Sequence, residues 1–213
     1  MLHTLDGGGR EILVNRLRAA TAPVVLEVGA FLGGSALQWL NSDPSVRVVC
    51  VDPWEGDWWI PYARERGWKE LEQRFADPSG PLKVFLTNLW DYRDRVIAVP
   101  GYAPAKLHEL HDLGLQPQLV YFDSDKSGSG IAEAVRLFPD AVIAGDDWTW
   151  GRQGGYPIRA AVAEAARVTG RHIVTRRATW LLQDRPLTFE QRCGRMLSLV
   201  DDVSRPVREK LRG

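Results

Sequence analysis

The sequence predicts a doubly wound α/β domain from three observations. Short apolar runs rich in Val and Ile recur along the chain, helical patterns alternate with them, and acidic residues gather where several of those runs end. The apolar runs fall at 24–28, 46–51, 96–99, 119–122, 141–144, 172–174 and 180–182. Most are apolar at successive rather than alternate positions, which marks strands buried on both faces of a parallel sheet. Helical patterns lie between them at 35–40, 68–75, 105–113, 131–138 and 158–168, the last with Ala161, Ala165 and Val168 predicted along one face. Strand, helix and parallel strand in that order cross over right-handedly, so helices cover both sides of the sheet.

The first run continues as VVLEVGAFLGGSALQWL, a strand, a glycine turn and a helix start. Such a turn brings backbone N–H groups and a helix N-terminus close to a polar or anionic ligand. Gly29 permits the sharp turn, Gly33 and Gly34 allow close approach, and Ser35 is placed to cap the helix or bond a ligand carboxylate. Phe31 stands where a strict G-x-G-x-x-G has its second glycine, and no G-x-x-x-x-G-K-[ST] occurs, which weakens pyrophosphate and nucleotide-triphosphate readings. The second run ends at Asp52, a carboxylate at a strand's carboxyl end, where it can accept both hydroxyls of a ribose.

Between the second and third runs, 53–95 is too long for one crossover helix and is expected to form a helix pair or lid over the sheet's active edge. The fourth run passes into YFDSDK and the fifth into AGDDW, so two strand ends carry Asp123, Asp125, Asp146 and Asp147. HIVTRRATWLL holds two short strands with no helix between them, predicting a closing hairpin whose last strand runs antiparallel at the end of the sheet. A helix over 189–203, carrying Cys193, Met196, Leu197, Val200 and Val203, is expected to pack on its own domain or between two copies, so a homo-oligomer stays open. The whole chain, 1–213, is expected to be one domain.

Charge and composition narrow the partners. With 27 basic and 27 acidic side chains there is no global field for nucleic acid or an anionic membrane. Two cysteines, Cys50 and Cys193, make no disulfide framework, and the start has no signal-peptide pattern, so a cytoplasmic protein is expected. Of nine tryptophans, Trp54, Trp58, Trp59, Trp68 and Trp90 lie in the long insertion, and Trp148 and Trp150 follow the Asp pair. Large aromatics there can line a ligand pocket or cover the core.

VLEVGAFLGGSA resembles the first motif of class I S-adenosylmethionine-dependent methyltransferases, the catechol O-methyltransferase type in particular, and the likeness runs from about Val24 to Leu182. It implies a Rossmann-like methyltransferase sheet, mostly parallel with an antiparallel C-terminal hairpin strand. It implies an S-adenosylmethionine site in which Glu27, Gly29 and Ser35 meet the methionine part, with Ala30, Phe31 and Gly33 in the same loop. Asp52 would hold the ribose, Gly101, Tyr102 and Ala103 in PGYAP would border the adenine, and Asp123 would lie beside the cofactor.

In the metal-dependent O-methyltransferases of this type, acids after the fourth and fifth strands bind a divalent ion. Asp123, Asp146 and Asp147 match those places. An all-carboxylate set suits Mg²⁺ or another hard divalent ion. Lys126, the third residue after Asp123, matches the catechol enzymes' base and would take the acidified hydroxyl proton. The Asp147 carboxylate, where the catechol type has an amide, and the added Asp125 resemble methyltransferases acting on macrolide sugars. The expected substrate is therefore a small hydroxylated molecule, a phenol, a catechol or a natural-product sugar. An NAD-dependent oxidoreductase and a non-catalytic nucleoside-binding module on the same fold are the alternatives.

Overall fold

The computed structural model describes residues 8–124, 129–185 and 188. Seven strands form one sheet: β1 (Val24–Val28), β2 (Arg47–Asp52), β3 (Val96–Pro100), β4 (Leu119–Phe122), β5 (Val142–Gly145), β6 (His172–Arg176) and β7 (Thr179–Gln183). Their order is β3-β2-β1-β4-β5-β7-β6, parallel throughout except for β7, which runs antiparallel to both neighbours. The predicted antiparallel last strand is present, but it lies inside the sheet. β7 pairs with β5 and leaves β6 at the edge, which lets the more apolar TWLL strand take the buried position.

Strand alternation sorts the core into two layers. Leu26 and Val28 point to the same side as Val49, Val51, Val120, Phe122 and Ile143. Val25 points to the other side with Val48, Cys50, Leu119, Tyr121 and Ala144. Full burial of each Val, Leu, Ile or Phe among them contributes about 1.5–3 kcal/mol. A slip of one residue would exchange the layers, so the register is well determined. β3 departs from the buried pattern because it is an edge strand, and Ile97 is 60% exposed.

The described helices are α1 (Glu11–Arg18), α2 (Gly34–Ser42), α3 (Gly56–Glu65), α4 (Lys69–Phe75), α5 (Gly80–Asn88), α6 (Ala105–Asp112), α7 (Ser129–Leu137) and α8 (Pro157–Thr169). The inner face of α8 is carried by Ile158, Val162, Ala165 and Ala166. Val168 is 58% exposed, so the face expected through Ala161, Ala165 and Val168 is rotated by about one position. The expected helix pair in 53–95 is three helices followed by a 3-10 turn at Trp90–Arg95. Two glycines let them nest: a β-carbon at Gly56 would lie 2.2 Å from the Phe75 carbonyl oxygen, and one at Gly80 would lie 1.8 Å from that of Arg74. Leu32, Ala63, Leu71, Phe75 and Val84 form a small separate core beneath this cap. The helix expected over 189–203 lies outside the described residues.

Candidate active site

The carboxyl ends of β1, β2, β4 and β5 open on one edge of the sheet, where the strand order reverses and α/β proteins bind their ligands. A cavity of about 890 Å³ lies there. Gly29, Ala30, Phe31, Ser35, Asp52, Gly101, Tyr102, Ala103, Asp123, Asp146 and Asp147, all singled out from the sequence, line it. Glu27 and Gly33 do not line it, and Lys126 lies outside the described residues.

The glycine loop is shaped by close approach. Gly29 has φ +89°, and a β-carbon on it would lie 2.3 Å from the Asp123 carbonyl oxygen, so the end of β1 abuts the end of β4. Phe31 also adopts a positive φ, of 46°, and is held by its neighbours. Its N–H donates to Asp52 Oδ2 at 2.9 Å, and its carbonyl accepts from Trp54 Nε1 at 2.7 Å. The Trp54 N–H donates to Asp52 Oδ1 at 2.8 Å. Burial raises the Asp52 pKa, and these backbone donors oppose the rise. Each carboxylate oxygen accepts more than one hydrogen bond, so Asp52 keeps capacity for hydroxyl donors from a ligand.

Glu27 is fully buried on the layer of Cys50 and Tyr121, its neighbours across β2 and β4. Ser35 donates its hydroxyl to Glu27 Oε1 rather than capping α2, while Glu27 Oε2 has no hydrogen-bond partner among the described residues. Burial pushes the Glu27 pKa up to about 8, with the Ser35 hydrogen bond and Arg10 pulling the other way. The carboxyl is therefore largely neutral near pH 7.

At the acidic edge, Asp146 is 5% exposed and its two oxygens face different donors. Oδ1 accepts the Asp147 N–H at 2.9 Å, and Oδ2 accepts Nη2 of Arg10 at 2.7 Å. The same Nη2 lies 3.4 Å from Asp123 Oδ2, and Arg10 Nε donates to the Tyr121 hydroxyl at 2.7 Å. Burial opposes the Arg10 charge, but Tyr121, Asp146 and Asp123 outweigh it and keep the guanidinium's pKa above its ordinary value.

The carboxylates do not fit a divalent ion as they stand. Among the described residues no three His, Cys, Asp or Glu side chains are grouped to hold a metal, and two of the three expected ligands face Arg10. Arg10 was not anticipated. A lone arginine after a glycine run has no periodicity or motif to single it out, and α1, which follows it, was not predicted either.

Aromatic side chains from the cap and from the glycine loop close the outer wall. Phe31 stacks on Trp59 with ring centres 3.9 Å apart, Trp59 meets Tyr62 edge-on at 5.7 Å, and the Arg66 guanidinium lies 3.5 Å from the Tyr62 ring centre. Trp58 and Trp150 are 70% and 56% exposed at the rim. Trp54 and Trp148 are buried and belong to the core, and Trp68 packs on the cap's own core. The Tyr102 hydroxyl donates to Glu55 at 2.6 Å across the cavity's other shoulder.

No protein-family model matches the chain, and no curated protein sequence resembles it significantly. Solved structures do resemble it in fold. Cofactor-bound Rv0187 from MTB is 23% identical with a TM-score of 0.55, over 83% of this chain and 79% of that one. The O-methyltransferase TomG from Streptomyces achromogenes, involved in tomaymycin synthesis and solved with S-adenosylmethionine, is 19% identical with a TM-score of 0.55, over 81% and 77%. An O-methyltransferase from Bacillus cereus, in complex with S-adenosylhomocysteine, is 15% identical with a TM-score of 0.51, over 80% and 79%. At these identities the likeness is one of fold: the chain shares with these structures a seven-stranded, Rossmann-like, mostly parallel sheet.

Proposed function

We propose that this protein is an S-adenosylmethionine-dependent O-methyltransferase acting on a hydroxyl of a small molecule, with Glu27, Gly29, Ala30, Phe31, Gly33, Ser35, Asp52, Gly101, Tyr102 and Ala103 forming the cofactor half of the site. One observation carries the reading. A single cavity joins a glycine loop and a buried ribose-type carboxylate, Asp52, to a second group of acids on adjacent strand ends under an aromatic wall. The first half suits a nucleoside cofactor and the second a polar acceptor. Fold resemblance to O-methyltransferases solved with S-adenosylmethionine and its product supports the choice.

In the proposed reaction the acceptor oxygen attacks the sulfonium methyl in line. The C–O bond forms as the C–S bond breaks, the bonding pair stays on sulfur as a neutral thioether, and the hydroxyl proton passes to a base. Lys126 is the proposed base on sequence position, and Asp123 and Asp147 are carboxylates at the cavity that can accept a hydrogen bond from the acceptor hydroxyl. Phe31, Trp59 and Tyr62 offer flat faces to an aromatic ring or a sugar. The divalent ion expected from the sequence enters no step, because Arg10 faces two of its carboxylates.

Calorimetric titration with S-adenosylhomocysteine, followed by transfer of labelled methyl to a panel of phenols, catechols and glycosides, tests the reading. Saturable binding with label recovered on oxygen is expected. Tighter binding of a nicotinamide dinucleotide would point to an oxidoreductase, and cofactor binding without transfer to any acceptor would point to a binding module.

A further inference from the structure

We propose that the guanidinium of Arg10 is the resident cation of the acidic edge, and that this site works without a divalent metal ion. The proposal rests on the methyl-transfer reading for its purpose, but its test does not.

Arg10 reaches the site by a built route. Thr179 Oγ1 donates to the Gly8 carbonyl at 3.1 Å, and Arg176 Nε donates to Glu11 Oε1 at 2.7 Å. Gly9, at φ +106°, passes so near the turn between β6 and β7 that a β-carbon on it would lie 1.9 Å from the Arg176 carbonyl oxygen. Only glycine fits that position without backbone movement. The segment is thereby tied to the hairpin, and the next side chain is turned into the protein.

Once inside, Arg10 is 5% exposed, which is costly for a charge unless its donors are matched. They are matched by Tyr121, Asp146 and Asp123, with Gln38 Oε1 3.4 Å from Nη1. A hard divalent ion takes carboxylate oxygens at roughly 2.0–2.6 Å. Asp146 Oδ2 already has Arg10 Nη2 at 2.7 Å, so an ion bound to that oxygen would be pressed against a buried like charge. The guanidinium instead bridges Asp146 and Asp123 and fixes the orientation of their carboxylates at the cavity edge. Arg10 is thus a positioning residue, acting through the carboxylates.

The test is a titration with Mn²⁺ alone, read by loss of the free-ion electron paramagnetic resonance signal, on wild type, Arg10→Gln and the Arg10→Gln, Asp146→Asn double variant. Wild type is expected to take up no stoichiometric ion. Arg10→Gln is expected to bind one ion at least about tenfold more tightly, and the added Asp146→Asn is expected to abolish that binding. A merely structural role for Arg10 would not create an ion site. One Mn²⁺ bound by wild type and lost in Asp146→Asn would overturn the proposal, as would a folded Arg10→Gln that binds none. If Arg10→Gln does not fold, the wild-type titration decides alone. Failure to bind S-adenosylhomocysteine would remove the methyl-transfer reading without changing the ion result.

Discussion

Replacing Glu27 by Gln isolates the energetics of the buried carboxyl behind the cofactor loop. The amide keeps the shape and can still accept the Ser35 hydroxyl, so the difference between the two proteins is the ionisation of one group. In the unfolded chain Glu27 ionises near its ordinary value of 4.5, and in the fold its pKa is pushed up to about 8. The folded state therefore holds a proton that the unfolded state has lost. Stability from this group is fully present below 4.5 and drains away as pH rises through about 8.

The slope is about 1.4 kcal/mol per pH unit, so wild type should lose roughly 2–3 kcal/mol relative to Glu27→Gln between about pH 5.5 and about pH 7.5. Urea denaturation of both proteins across that window measures it, because subtraction cancels every other titrating group. Above about pH 8 the difference should level off. Two stability curves that stay parallel from pH 5.5 to 7.5 would refute the reasoning and require that Glu27 be ionised in the fold.

Three further outcomes follow from the site. Asp52→Asn removes the charge that gathers the Phe31 and Trp54 N–H groups and faces the cavity, and should weaken S-adenosylhomocysteine binding by about ten- to hundredfold in calorimetry. Gly29→Ala puts a methyl 2.3 Å from the Asp123 carbonyl oxygen at a positive φ, and should cost about 2 kcal/mol or more in urea denaturation. Trp59→Ala removes the ring stacked on Phe31 and should raise KM for a planar acceptor while leaving S-adenosylhomocysteine affinity within about threefold; a loss of cofactor affinity instead would place Trp59 in the other half of the site.

Much of this protein was legible from its residues in order. Unbroken apolar runs such as VVCV and LVYF can only be buried on both faces, which determines a parallel sheet between helices, and the strand boundaries fall within one or two residues of expectation. The glycine loop, Asp52 and the strand-end acids were legible for the same reason: ligand groups in such sheets sit where strands end. The path of 53–95 was less so. Its three helices depend on Gly56 and Gly80 meeting backbone at α4, contacts that no periodicity or motif in the segment announces. The tryptophans divide in the same way, since whether Trp54 or Trp59 meets the core or the cavity is settled by which layer lies across from each ring.

The sequence by itself determined the sheet, the crossover helices α2, α6, α7 and α8 and the carboxyl edge on which the acids stand, because burial and turn geometry are written in neighbouring residues. Only the tertiary structure decided where β7 inserts and which cation meets Asp146. The partner of Asp146 is 136 positions away in the chain, brought there by a glycine packed against the β6–β7 hairpin. A charge pair across that distance depends on the finished fold, and no local pattern of residues encodes it.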